Sequence, residues 1–83
     1  MTETEAFELV ASVVRDVLDD DEIVLIPSST AESTPGWDSI ANVKIVVALE
    51  GKLRRTFTTQ QIETLQTLGD FVRAVQSVGA TSV

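Results

Sequence analysis

Three chemically important side chains are missing from this sequence: cysteine, histidine and tyrosine do not occur among its 83 residues. Without cysteine the chain has no thiol of its own and no disulfide, and without cysteine and histidine it lacks the usual ligands of a structural zinc ion. The same side chains supply most nucleophiles and proton carriers that work near neutral pH. We therefore predict that the chain is not an enzyme and holds no metal.

Positive charge and long apolar runs are also scarce. The sequence has 6 basic residues against 13 acidic ones, which gives a formal net charge of -7. Because nucleic acids and anionic membrane surfaces are recognised through Lys and Arg, neither is an expected partner. No apolar run could span a bilayer and the N-terminal residues do not form a signal-peptide pattern, so a cytoplasmic protein is predicted. The length predicts one domain, residues 1–83.

An amphipathic helix is predicted at the start of the chain. Apolar residues recur there at steps of three and four, as they do on one face of a helix. They are Phe7, Val10, Ala11, Val14 and Leu18. Thr2 and Glu5 have the spacing of a capping box, and the acidic run at residues 19–22 should end the helix.

The helical pattern is lost over residues 23–36. Pro27 interrupts this segment, and Thr34-Pro35-Gly36 has turn chemistry. A short strand around Val24 would have no obvious partner. We therefore predict a long loop, and ordered loops of this length are often functional.

A second helix is predicted from Asp38-Ser39 to about Leu53. Either Asp38 or Ser39 could accept a hydrogen bond from a free N–H group of the first turn. When its side chains are plotted at about 100° per residue, the apolar ones form two stripes. One stripe consists of Ile45, Val46, Leu49 and Leu53, and the other consists of Ile40, Val43 and Val47. Two stripes fit either a helix buried on two sides or a helix whose second stripe faces a partner or a guest chain.

Two further helices complete the predicted fold. Thr58 or Thr59 could cap a short helix over residues 60–64, and the last helix begins near Thr67. The apolar face of the last helix consists of Leu68, Phe71, Val72 and Val75, with Val78 as an extension. The fold class is all-α, with a core over about residues 5–78 and a flexible tail at residues 79–83.

An Asp-Ser pair at a helix start is a weak signal by itself, because helix caps have this composition everywhere. Its context in this sequence is Gly36-Trp37-Asp38-Ser39-Ile40, followed by Leu49-Glu50 and by Thr67-Leu68-Gly69-Asp70. In this combination the sequence resembles the acyl carrier protein family over about residues 6–76. The resemblance implies a small four-helix bundle of acyl-carrier type, with three main helices, one short helix and a long loop between helices one and two.

The resemblance also implies a covalent cofactor. Ser39 would be the attachment point of 4′-phosphopantetheine, transferred from coenzyme A by a separate phosphopantetheinyl transferase. The chain would then tether acyl intermediates as thioesters on a thiol that its own sequence lacks. Asp38 would be read by the transferase, although the role of helix cap explains it equally well. Trp37 would either anchor the loop on the core or contact partners beside the arm.

The second helix is the docking surface in this family. The resemblance places Ile40, Val43, Lys44, Val47 and Gly51 at its front. Lys44 stands where a carboxylate is usual, and Gly51 and Lys52 replace acidic residues. We therefore expect few, dedicated partners that are recognised by shape and apolar contact. This favours polyketide or mixed peptide–polyketide assembly over primary fatty-acid synthesis.

The expected partners are the phosphopantetheinyl transferase, an acyl-loading enzyme or acyltransferase, and a ketosynthase or other assembly-line enzymes; the chain itself is predicted to be a monomer. Three alternatives remain open. A peptidyl or aminoacyl carrier usually shows Gly-Gly before the motif, which Pro35-Gly36-Trp37 lacks. A housekeeping fatty-acid carrier would present a more acidic second helix. In a non-catalytic helical interaction protein, Ser39 would be only a helix cap.

Overall fold

The computed structural model describes residues 2–80, apart from the side chains of residues 79 and 80. Four helices follow one another along the chain: α1 (Glu3–Leu18), α2 (Ser39–Leu53), α3 (Thr59–Glu63) and α4 (Leu68–Ala80). The predicted all-α fold is confirmed, with three long helices, one short helix and a long loop between α1 and α2. Within the described residues there is no strand around Val24, and an isolated bridge between Thr30 and Thr67 is the sole β pairing.

The two ends of α1 follow the predicted signals. The Glu5 N–H donates to Thr2 Oγ1 at 3.1 Å, and the Thr2 N–H donates to Glu5 Oε1 at 2.9 Å, so the capping box is confirmed. The hydrogen bond from the Thr2 backbone holds the pKa of Glu5 below its ordinary value. Asp19 closes the helix in the left-handed region, with φ 54°, as expected of the acidic run.

The buried face of α1 is wider than the single stripe predicted. The fully buried residues are Ala6, Val10, Ala11, Val13 and Val14, whereas Phe7 and Leu18 are only partly buried. The reason is that α1 packs against both α4 and α2, which also contact each other. Burial of one large apolar side chain contributes about 1.5–3 kcal/mol, so the buried valines of α1 stabilise the fold substantially.

The two stripes of α2 have opposite environments. Ile45 and Leu49 are fully buried, and Val46 is 7% exposed. The second stripe faces solvent: Ile40, Val43 and Val47 are 67%, 61% and 59% exposed. The interpretation of α2 as a helix buried on two sides is therefore wrong.

The loop between α1 and α2 is fastened to the start of α4. The Leu68 N–H donates to Ser29 O, and the Gly69 N–H donates to Pro27 O, both at 2.8 Å. A Cβ atom at Gly69 would lie 3.1 Å from Pro27 O, so glycine permits this close approach. Loop carbonyls thus satisfy N–H groups that the first turn of α4 would leave unpaired.

The last two helices differ from prediction at their ends. Thr58 rather than Thr59 caps α3, which therefore begins and ends one residue earlier than the predicted range 60–64. Helix α4 continues to Ala80, which is two residues into the predicted tail at residues 79–83. The remainder of that predicted tail, residues 81–83, lies outside the described residues.

Candidate functional site

The start of α2 has a single capping side chain. Asp38 has extended backbone geometry, and its Oδ1 accepts a hydrogen bond from the Ala41 N–H at 2.8 Å. Its carbonyl oxygen accepts the first helical bond, from the Asn42 N–H at 2.9 Å. The cap of α2 is therefore Asp38, and Ser39 is the first residue of the helix.

Ser39 is exposed and its side chain has no structural task. Its hydroxyl makes no hydrogen bond to any residue between 2 and 80. The interpretation of Ser39 as only a helix cap is thus wrong, because the residue before it already accepts the capping bond. Asp and Ser are equally good capping residues, so the sequence does not show which of the two caps the helix. The backbone conformation of Asp38 decides it.

The electrostatics of this helix start favour an anion beside Ser39. Within the described residues, the backbone N–H groups of Ser39 and Ile40 have no acceptor. Free N–H groups and the helix dipole make such an end mildly positive. No basic group of the described chain contacts the Ser39 hydroxyl, so nothing there would activate it as a nucleophile. The geometry suits a hydroxyl that another protein modifies.

Trp37 holds the end of the long loop in place. The side chain is 4% exposed, and its ring centroid lies 5.8 Å from that of Phe71 in α4. The indole Nε1–H donates to Asn42 Oδ1 in α2 at 3.1 Å. These contacts fit the loop-anchor alternative for Trp37 rather than a partner contact. Gly36, with φ 86°, supplies the left-handed turn that precedes it.

A groove of about 480 Å³ lies beside the start of α2. It is lined by Thr30, Ala31, Glu32, Trp37, Asn42, Leu65 and Gln66. Asn42 lies three residues after Ser39, so the groove adjoins the turn that carries the exposed hydroxyl. Sequence reasoning missed Asn42, because a lone amide among apolar helix positions has no pattern. The one feature of the sequence that could have indicated Asn42 is its position, one helical turn after the Asp38-Ser39 pair.

The residues predicted for partner recognition lie at this start and along one exposed face. Ile40, Val43, Lys44 and Val47 are all exposed on α2. Asp38, the fifth predicted residue, is exposed as well and is occupied as the helix cap. Ser39 therefore sits at the N-terminal end of a continuous outward-facing surface.

The described chain has neither a cluster of metal-ligand side chains nor a membrane-spanning helix. Between residues 2 and 80, no three His, Cys, Asp or Glu side chains come together in a group that could hold a metal ion. Over the same residues, no helix combines the length and the apolar character needed to cross a membrane.

The fold and this helix start define a class: small all-α bundles with an exposed serine at the head of the second helix. No family model matches the chain, and no curated protein matches it. Among solved structures, it is similar to the solution NMR structure of a holo acyl carrier protein from Geobacter metallireducens. The TM-score is 0.83 and the identity 28%, over 90% of this chain and 86% of that one. This likeness in fold and sequence confirms the predicted resemblance to the acyl carrier protein family.

Proposed function

We propose that Ser39 carries a 4′-phosphopantetheine arm, on which the chain tethers acyl intermediates as thioesters for partner biosynthetic enzymes. The observation that carries this proposal is the exposed Ser39 hydroxyl, free of hydrogen bonds within residues 2–80 while Asp38 caps the helix. A hydroxyl that holds the fold together could not be esterified without loss of stability. The Ser39 hydroxyl holds no such bond and could be esterified without that loss.

The residues around Ser39 fit the arm that the proposal requires. A phosphate on its oxygen would adjoin the unpaired N–H groups of Ser39 and Ile40, which favour negative charge. The arm supplies the thiol for thioester formation, and the chain has no cysteine that could do so. Since no basic group contacts the hydroxyl, the base that takes its proton must come from the transferase.

We further propose that the pathway is polyketide or mixed peptide–polyketide assembly and that the chain acts as a cytoplasmic monomer without catalysis of its own. Lys44, Gly51 and Lys52 support dedicated partners, because family members that serve many enzymes usually present acidic residues there. A test is to offer the phosphopantetheinylated chain to a malonyl-transferring acyltransferase and to an amino-acid-activating enzyme. Malonyl loading is expected. Exclusive aminoacyl loading would favour the peptidyl-carrier alternative.

The attachment itself is tested by mass spectrometry after incubation with coenzyme A and a broad-specificity phosphopantetheinyl transferase. The wild-type chain should gain the mass of one phosphopantetheinyl group, and Ser39→Ala should gain none. Ser12→Ala, which removes another exposed helical serine, is the matched control and should be modified like wild type. A gain of equal size in Ser39→Ala would place the arm elsewhere, and no gain in wild type would refute the proposal.

A further inference from the structure

The positive charges of this acidic chain are concentrated on one element. Residues 39–55 contain Lys44, Lys52, Arg54 and Arg55 and one acidic residue, Glu50, so this segment carries +3. Because the whole chain carries -7, the rest carries -10. The charge is therefore unevenly distributed, and residues 39–55, which are α2 and the two arginines after it, form the positive part.

None of these four cations forms an ion pair within residues 2–80. Between residues 2 and 80, the ion pair of Arg73 with Asp70 is the only one. Lys44, Arg54 and Arg55 are exposed and form none. Glu50, by contrast, is engaged, since its Oε2 accepts a hydrogen bond from the Phe57 N–H at 2.9 Å. The positive charge of residues 39–55 is thus available to a second molecule.

The same surface presents three large apolar side chains of α2 to solvent. Ile40, Val43 and Val47 are three of the six large hydrophobic residues exposed within residues 2–80. Their spacing places them on one side of the helix, opposite Ile45 and Leu49 in the core. Exposed apolar side chains grouped in this way mark an interaction surface more often than scattered ones do.

A shallow groove of about 560 Å³ joins the apolar stripe to the arginines. It is lined by Val47, Glu50, Gly51, Arg54, Arg55 and Thr56. A Cβ atom at Gly51 would meet nothing within 4 Å, so the middle of this groove is open. Apolar contact and positive charge therefore belong to one surface, which we call the basic face: Ile40, Val43, Lys44, Val47, Arg54 and Arg55.

We propose that the basic face docks on a protein whose apolar surface is rimmed by Asp and Glu carboxylates. This rests on the proposed function, because Ser39 lies at one end of the face and the partner would receive the tethered cargo. Unpaired cations around apolar side chains are complementary to such a rim. A broad anionic surface such as a membrane or a nucleic acid would also repel the -10 carried by the rest of the chain.

The probe is a pair of synthetic amphipathic helical peptides of equal length, with a leucine face flanked by Glu in one and by Lys in the other. Each is titrated into the ¹⁵N-labelled chain, and amide chemical shifts are followed. The Glu peptide should shift the amides of Ile40, Val43, Val47 and Gly51 at low salt. Raising the salt from about 0.05 M to about 0.5 M should weaken its binding about tenfold or more, because screening shortens the range of the charges.

Two variants of α2 make the test specific. Lys44→Glu should weaken binding of the Glu peptide about fivefold, because it turns an attractive charge into a repulsive one. Lys52→Glu is the matched control, because Lys52 lines a different groove, together with Asp16 and Asp21, and not the groove that joins Val47 to the arginines. It should change binding less than twofold. Circular dichroism shows whether each variant keeps its helices.

Several outcomes would overturn the proposal. One is equal chemical-shift changes with both peptides. Another is an equal loss of binding affinity for the Glu peptide in Lys44→Glu and Lys52→Glu. The third is tighter binding to phosphatidylglycerol vesicles than to the Glu peptide. Concentration-dependent shifts of α2 without peptide would instead indicate a second copy, whose residues 19–22 carry the acidic charge. The peptide titrations use the chain without the arm, so failure here is separate from failure of the attachment test.

Discussion

The start of α2 differs from the starts of the other three helices. Helices α1 and α3 begin with reciprocal capping boxes, Thr2 with Glu5 and Thr58 with Gln61. At α4 the Asp70 N–H donates to Thr67 Oγ1, and the Thr67 N–H donates to Asp70 Oδ2. Helix α2 has a one-way cap, because its third residue is the buried Ala41, which has no polar side chain to return the bond. The helix that bears the candidate site is thus the only one of the four whose cap lacks a reciprocal side-chain bond.

The anchor of α2 should be its most sensitive point. Trp37→Ala removes the packing on Phe71 and the hydrogen bond to Asn42, and should lower the free energy of unfolding by about 3–5 kcal/mol. Trp37→Phe keeps a ring but loses the hydrogen bond, and should cost less. Urea denaturation followed by circular dichroism measures both. A negligible cost of Trp37→Ala would show that the loop is fastened by its other contacts.

Removing both sides of a reciprocal cap should cost more than removing the one-way cap. We expect the double variant Thr67→Ala/Asp70→Ala to lower the free energy of unfolding by about 2 kcal/mol, and Asp38→Ala by about 1 kcal/mol. The reason is that the double variant leaves the N–H groups of Gln66, Thr67 and Asp70 without acceptors. Chemical denaturation compares the two; equal costs would remove the distinction drawn between these helix starts.

The reciprocal cap of α4 should also contribute to acid sensitivity. Backbone hydrogen bonds, led by that from Thr67, lower the pKa of Asp70 below its ordinary value. A lowered folded-state pKa gives stability that is present above the unfolded pKa and is lost as the pH falls through the folded one. Unfolding measured below about pH 4 should therefore show a smaller acid-induced loss in Asp70→Asn than in wild type. Identical pH profiles would contradict this role.

Ser39→Ala should have the smallest effect on stability. Its hydroxyl bonds to nothing in residues 2–80, so the free energy of unfolding should change by less than about 0.5 kcal/mol. The same variant should abolish phosphopantetheinylation. The free energies of unfolding of Ser39→Ala and Asp38→Ala are compared by thermal or urea denaturation. If Ser39→Ala lowers the free energy of unfolding as much as Asp38→Ala does, the serine contributes to the cap after all.

Local signals in the sequence were sufficient for the helices. The Thr2–Glu5 box and the span of α2 follow from short-range chemistry, and the structure confirms them. The burial of Ala6 and Val13 does not follow from such signals, because it depends on α1 having two helical neighbours.

The candidate site, too, could be predicted only in part from the sequence. Ser39 and the exposed residues of α2 could be predicted from the motif and the second apolar stripe. The choice between Asp38 and Ser39 as cap could not, since both side chains have the right oxygen and only the backbone separates them. Whether the second stripe was buried depended on the absence of a packed neighbour, which periodicity does not report.

The position of Trp37 makes the chain its own optical reporter. It is the only tryptophan, and the sequence has no tyrosine, so ultraviolet-excited emission comes almost entirely from one indole. That indole is buried where the loop, α2 and α4 meet, and it lines the groove next to the turn that bears Ser39. A guest chain entering the groove would change the surroundings of the fluorophore. Loading could therefore be followed in real time, without a label, by the intensity and wavelength of its emission.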